Sequence, residues 1–253
     1  MIKIFKKSLM LLTLLLCFCF IPFAFASYDP TPGILSRLQG QWYDASGKVV
    51  LDFQGNTVNG CTIVGAYNPA GGSSDFSCII RIIEAQGYRD LPIIGENLYK
   101  GSNHSHVIMD GDNQDERKGT LLLHAPNAQY YESVGGIGLD MPATEVQAKY
   151  GSPDSIQSVK PWIQLDTWQY QKLGLELTMR HGRVWIIKMY RNGDRHFDRT
   201  GFNCANAPFE FQEAYGFKRA PKAGQYGAYG IGHGEFLWFN DYPDSITLST
   251  FRN

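Results

Sequence analysis

Imidazole, thiol, hydroxyl and carboxylate side chains are the groups able to do chemistry, and their spacing in this 253-residue chain is informative. His104-Ser105-His106 places two imidazoles on one face of a strand, with Asp110 and Asp112 nearby, a grouping that suggests a metal ion. No third ligand stands at metal-site spacing, so the pair reads as a solvated edge strand and turn, and no metal is expected. His181 sits in a turn before Gly182; His196 and His233 are isolated. A serine nucleophile is not signalled, because no Gly-x-Ser-x-Gly elbow occurs and Gly71-Gly72-Ser73-Ser74 is accounted for by a turn. Glu145 and Glu210 occupy equivalent places in a repeat described below, so they read as helix-surface or capping residues and not as an acid/base pair. No glycine loop carries the Lys-Ser/Thr that meets a nucleotide. The chain is therefore expected to be non-catalytic and to use no cofactor.

Cysteine and aromatic side chains offer more. Folding the chain about Asn68-Pro69-Ala70-Gly71-Gly72 pairs residues whose numbers sum to 139, which sets Cys61 opposite Cys78 on neighbouring strands and predicts a disulfide between them. Cys204 is left as a buried structural thiol. Trp162, Trp168, Trp185, Trp238, Tyr226, Tyr229 and Tyr242 all fall in the C-terminal half. Alternation puts Trp238 opposite the face of Leu237 and Phe239, so Trp168, Trp185, Trp238 and Tyr242 form a candidate interaction surface on a sheet. The competing reading is internal packing, between the repeats or against the first domain.

Compartment is set by the first residues. Lys3, Lys6 and Lys7, the apolar run Leu9 to Phe23 and the small residues of Ala24-Phe25-Ala26 read as a cleavable signal over 1–26. Pro22 and the shortness of the run argue against a membrane anchor. Without the signal the chain keeps 20 Lys+Arg (23 less 3) against 24 Asp+Glu, a net charge of −4, with no basic block. Nucleic acid is thus excluded as a partner, and no transmembrane segment is expected after signal removal.

The elements that must position these groups fall into two styles. Residues 27–33 read as a linker. From Gly40 to His124, within a domain spanning 34–126, seven or eight short alternating runs end at Gly, Asn, Asp or Pro and predict a small antiparallel barrel or sandwich. Beyond Pro126, Met141-Pro142 starts and Tyr150-Gly151 stops a helix, and strands follow at 166–171, 175–179 and 184–190. The pattern returns: Glu145 to Gly151 matches Glu210 to Gly216, Leu177 and Met179 match Leu237 and Phe239, and Trp185 and Ile187 match Ile246 and Leu248. The predicted class is α+β, an N-terminal barrel or sandwich followed by two tandem helix-plus-three-stranded-meander repeats over 134–191 and 202–253.

Two resemblances follow from these residues. Gly136-Ile137-Gly138-Leu139-Asp140-Met141, Glu145-Val146, Tyr150-Gly151-Ser152-Pro153-Asp154, Trp168-Gln169-Tyr170 and Gly182-Arg183-Val184 resemble the BamE-like (SmpA/OmlA) fold. The tandem copy makes the C-terminal half similar to the β-lactamase inhibitor protein family. That resemblance implies helices on one face of an antiparallel sheet and a free second face for a protein partner. Gly40-Gln41-Trp42 resembles the Gly-x-Trp of a lipocalin's first strand, where the ring closes the barrel floor. The reading that results is an exported, periplasmic or extracellular, non-catalytic protein-interaction protein. The alternatives are a lipocalin-like carrier of a small apolar ligand and, more remotely, a hydrolase.

Overall fold

The computed structural model describes residues 29, 31–110, 119–160, 165–224 and 227–250. The expected signal segment, Asp112, Trp162 and Tyr226 lie outside the described residues. Every element below belongs to one compact unit beginning at Thr31.

Helix α1 (Thr31–Leu38) starts inside the stretch expected to be linker. Ile34, Leu35 and Leu38 share its buried side. Two of its last four carbonyls are satisfied by side chains: Gln39 Nε2 donates to Leu35 O (2.9 Å) and Trp42 Nε1 to Leu38 O (2.8 Å).

Eight antiparallel strands follow and close into a barrel. They are β1 (Gly40–Tyr43), β2 (Val49–Gln54), β3 (Thr57–Val58), β4 (Cys61–Gly71), β5 (Phe76–Glu84), β6 (Gly87–Glu96), β7 (His106–Met109) and β8 (Thr120–Leu123). Tyr43 pairing with Leu123 closes the ring. Strict alternation along β5 sends Phe76, Cys78, Ile80 and Ile82 inward. They meet Trp42, Leu51, Phe53, Ile93 and Leu122 in a single apolar cluster, so side chains fill the interior.

The predicted Cys61–Cys78 bridge is not formed, and both thiols are free. Partners on β4 and β5 sum to 145 to 147, as in Thr62 with Ile83 and Ala70 with Ser77, not to 139. Strand β4 runs on through Asn68-Pro69-Ala70, and bulges at Ile63/Gly65 and Tyr67/Ala70 absorb the Pro and Gly that suggested a turn. Cys61 consequently faces Val58 on β3, and Cys78 faces Ile93 on β6.

After a two-stranded ribbon of β9 (Ser133–Val134) and β10 (Ile137–Gly138) come helix α2 (Ala143–Tyr150) and strands β11 (Ser155–Lys160), β12 (Leu165–Tyr170), β13 (Leu175–Arg180) and β14 (Arg183–Tyr190). Helix α3 (Pro208–Tyr215) precedes β15 (Ala228–Gly232), β16 (Glu235–Trp238) and β17 (Ser245–Ser249). Here the predicted α+β class with two tandem helix-plus-meander repeats is overturned. The chain is mostly β, 46% strand against 13% helix. Segments 134–191 and 202–253 give four and three strands to one seven-stranded sheet ordered β11-β12-β13-β14-β17-β16-β15. The seam is β14 with β17, where Ile187 meets Leu248. Among the described residues strand β11 has no counterpart in the later segment. The two helices each sink one fully buried residue, Val146 and Phe211, into a common core with Leu177, Ile187, Leu237 and Phe239.

Of the four proposed surface aromatics, Trp168 and Trp238 are buried, while Trp185 and Tyr242 are half-buried. Trp168 lies in that core at 8% exposure, and Trp238 is 7% exposed with its Nε1 donating to Ser249 Oγ. Tyr242 packs against the core and donates to Asn206 O. Trp185 lies between the Arg180 guanidinium (4.5 Å) and the His106 ring (5.1 Å). The barrel covers part of the sheet face that the resemblance left free, while Glu176, Thr178, Lys188 and Tyr190 on that face stay half-buried. Arg180 on β13 makes a bidentate pair with Glu96 on β6, both bonds 2.8 Å, and Asn97 Nδ2 reaches Thr250 Oγ1.

Candidate functional site

The barrel–sheet junction gathers the groups with chemical capacity. Val107 and Leu122 point into the barrel core, so their alternates His106, Ile108 and Leu123 belong to its outer face; all three are nonetheless buried. His104, in the loop before β7, and His106 are both fully buried, contrary to the solvated edge expected of them. His104 Nδ1 donates to Asp140 Oδ2 (2.5 Å) and its Nε2 to Glu235 Oε1 (3.1 Å). His106 Nε2 donates to Asp140 Oδ1 (2.7 Å), while its Nδ1 is buried with no partner. Arg183 Nη1 donates to the Asp140 carbonyl (2.8 Å). Asp140 comes from the turn after β10 at φ +65°, and Glu235 opens β16 after the His233-Gly234 turn.

Burial by itself would lower the His104 pKa. The Asp140 and Glu235 bonds outweigh it and carry the imidazole up to about 9. Burial likewise pushes the Asp140 carboxyl up, but His106 and His104 prevail and hold it below its ordinary range. The result is an imidazolium clamped between two carboxylates, each from a different part of the chain. Glu235 also accepts the backbone N–H groups of Tyr131 and Glu132. Glu132 in turn accepts Ser133 N, Arg199 N and the Tyr215 hydroxyl, and burial raises its pKa. The network therefore runs from the barrel through the sheet to α3.

This arrangement locks two layers together; it does not present a reactive group. Its imidazoles are sealed from solvent, and a general base must reach its substrate. Among the described residues no group of three or more His, Cys, Asp and Glu is disposed to hold a metal ion. Cys204 is buried, donates to Met189 O, and burial drives its thiol up to about 11, the opposite of an activated nucleophile. No sequence signal joins Asp140, Glu235 or Glu132 to the histidines, since they lie 36, 131 and 28 positions from His104; Asp140 enters only as part of the BamE-like run.

Accessible surface with binding character lies elsewhere. On the barrel's outer face Ile83 pairs directly with Tyr88, and Tyr67 with Ile79. Val64 is the extra residue of a β4 bulge. Tyr88 is 71% exposed, Ile83 47%, Val64 44% and Tyr67 39%. Between them Arg81 forms a bidentate pair with Asp90 (2.7 and 2.8 Å) and lies 4.9 Å from the Tyr67 ring centroid. At the sheet's edge, β11 is exposed on both faces, with Ile156 and Val159 outward. A concavity of about 700 Å³ opens at the α1 end of the barrel. Among the described residues no helix is long and apolar enough to cross a membrane. Compared with family models, with curated proteins and with solved structures, the chain matches none.

Proposed function

We propose that the chain is an exported, non-catalytic protein-interaction protein of the cell envelope or extracellular space, and that it docks another protein on the outer face of β4, β5 and β6. One observation carries the reading: Val64, Tyr67, Ile83 and Tyr88 stand exposed together on a rigid face built from the longest strands of the barrel. Exposed apolar groups clustered on one face are unusual outside binding surfaces, and Tyr and Arg are the residues that most often anchor protein partners. Arg81 is held in place by Asp90 and Tyr67, so little side-chain entropy remains to be lost on docking. The pair also cancels its own charge, which favours an apolar, aromatic-rich partner surface over a charged one.

The carrier alternative has the packed barrel interior against it. A barrel whose floor and walls are Trp42, Phe53, Ile80 and Ile93 in mutual contact leaves little volume for an apolar guest. The hydrolase alternative has the sealing of His104 and His106 against it.

The test is capture from culture medium or envelope extract with the full chain as bait. A protein retained by the native chain should be lost with Ile83→Asp/Tyr88→Asp and kept with Ile156→Asp, which alters the β11 edge instead. Equal retention by all three chains would refute the proposed face.

A further inference from the structure

The concavity at the α1 end of the barrel has a composition that the protein-docking face does not explain. It measures about 700 Å³, within the usual range of small-ligand sites, and Arg37, Lys100, His124, Tyr99, Ser73 and Ser102 are among the side chains that line it. No carboxylate is among the described residues lining it. We propose that this barrel mouth binds a small oxyanion-bearing molecule, with Arg37 and Lys100 holding the anionic group and the surrounding hydroxyls meeting the rest.

The walls are preorganised. Gln39 is fixed by three bonds, to Leu35 O, from Gly55 N and to Gly55 O. The His124 ring is held by Gln39 O (3.1 Å) and lies 4.4 Å from the Trp42 ring. The loop bearing Tyr99 to Ser102 is tied at Leu98 N to Ser74 O, at Ser102 N to Tyr99 O and at Asn103 N to His233 O. Its lower end is His104, anchored in the junction network. A loop pinned at this many points keeps its shape before a ligand arrives, which lowers the entropic cost of binding.

Neither cation has an internal partner. Arg37 and Lys100 make no hydrogen bond or ion pair among the described residues, although both line one cavity. Arg37 lies in the last turn of α1, where the helix C-terminus favours a cation without supplying it a carboxylate partner. Asp75, on the adjoining turn, faces Asn97 N (2.9 Å) and Ser74 Oγ (2.7 Å). Ser102 Oγ accepts the His104 N–H, so its own proton is left to donate. Two unpaired cations beside hydroxyl donors suit an oxyanion; guanidinium supplies a planar fork and ammonium a point charge. Phosphate and carboxylate share that chemistry.

The experiment is titration of the full chain, followed by calorimetry and by the NMR signals of the His124 ring and the Trp42 indole. The probes are inorganic phosphate, glucose 6-phosphate and glucuronate, with sodium chloride at matched ionic strength as the control. The proposal predicts saturable one-to-one binding of at least one probe, shifts centred on His124, and a loss of affinity of about tenfold or more in Arg37→Gln/Lys100→Gln. Preference for glucose 6-phosphate or for glucuronate assigns the anion's identity. Absence of saturation by all three probes, shifts centred elsewhere, or equal affinity in the double variant would each overturn it. The native-chain shifts decide the matter even if the variant folds poorly.

Discussion

His104 is held protonated at neutral pH between Asp140 and Glu235, and removing either kind of partner leaves a buried charge uncompensated. Asp140→Asn is therefore expected to cost about 3–5 kcal/mol of stability, measured by urea denaturation. The pH dependence has a definite sign. A histidine whose pKa rises on folding from about 6.5 to about 9 contributes fully below 6.5, and the contribution is lost as pH rises through 9. A carboxylate whose pKa falls on folding contributes above its ordinary value of 3.8 and loses that contribution on acidification. The native chain should thus lose on the order of 3 kcal/mol between pH 6.5 and pH 9. His104→Gln should flatten that slope; an unchanged slope would remove His104 as its source. The i, i+2 spacing of His104 and His106 is legible in the sequence, but the strand expected to carry both begins only at His106, and what brings them together is their common partner Asp140. What buries the two rings is not legible, because it depends on Asp140 and Glu235, brought in by later elements. A pair of imidazoles beside polar turn residues reads as surface when its partners are distant in the chain.

Strands β4 and β5 show what bulges do to a reading based on register. Asn68-Pro69 and Gly71 carry real turn chemistry, with Asn68 at φ +51° and Gly71 at φ +103°, but the chain uses them inside a strand. The turn itself lies later, closed by Gly72 N to Asp75 O, and the bulges then shift the sum only from 147 to 145, so Cys61 meets β3 and Cys78 meets β6. Thiol titration in guanidinium without reductant measures this directly. The chain from Ser27 should release three reactive thiols, Cys61, Cys78 and Cys204, where a Cys61–Cys78 bridge would release one. In the native state Cys78 should react slowest, since burial raises its pKa to about 12. Helix signals proved more local and more legible. Met141-Pro142 and Gly151 bracket α2, and Gly216, read as the match of Gly151, stops α3; the Pro208 that starts α3 is not among the signals read from the sequence. Caps act within one turn of chain; strand partners are chosen across the molecule.

At the scale of the whole molecule, the sheet has one face on α2 and α3 and part of the other against the barrel, so Trp168 and Trp238 serve packing and Trp185 is half-buried. Similar text at 145–151 and 210–216 was readable as repetition, but repetition does not say whether two units stand apart or share a sheet. Joining β14 to β17 buries a common core and leaves only β11 and β15 as edges. The most exposed apolar cluster on a strand face then lies on the barrel's outer wall, at Val64, Tyr67, Ile83 and Tyr88. A photo-crosslinking amino acid at position 88, in cells exporting the full chain, tests this most directly. The account predicts a discrete protein adduct from position 88, abolished by Ile83→Asp, and none from position 156. No adduct at position 88, or one insensitive to Ile83→Asp, would contradict it.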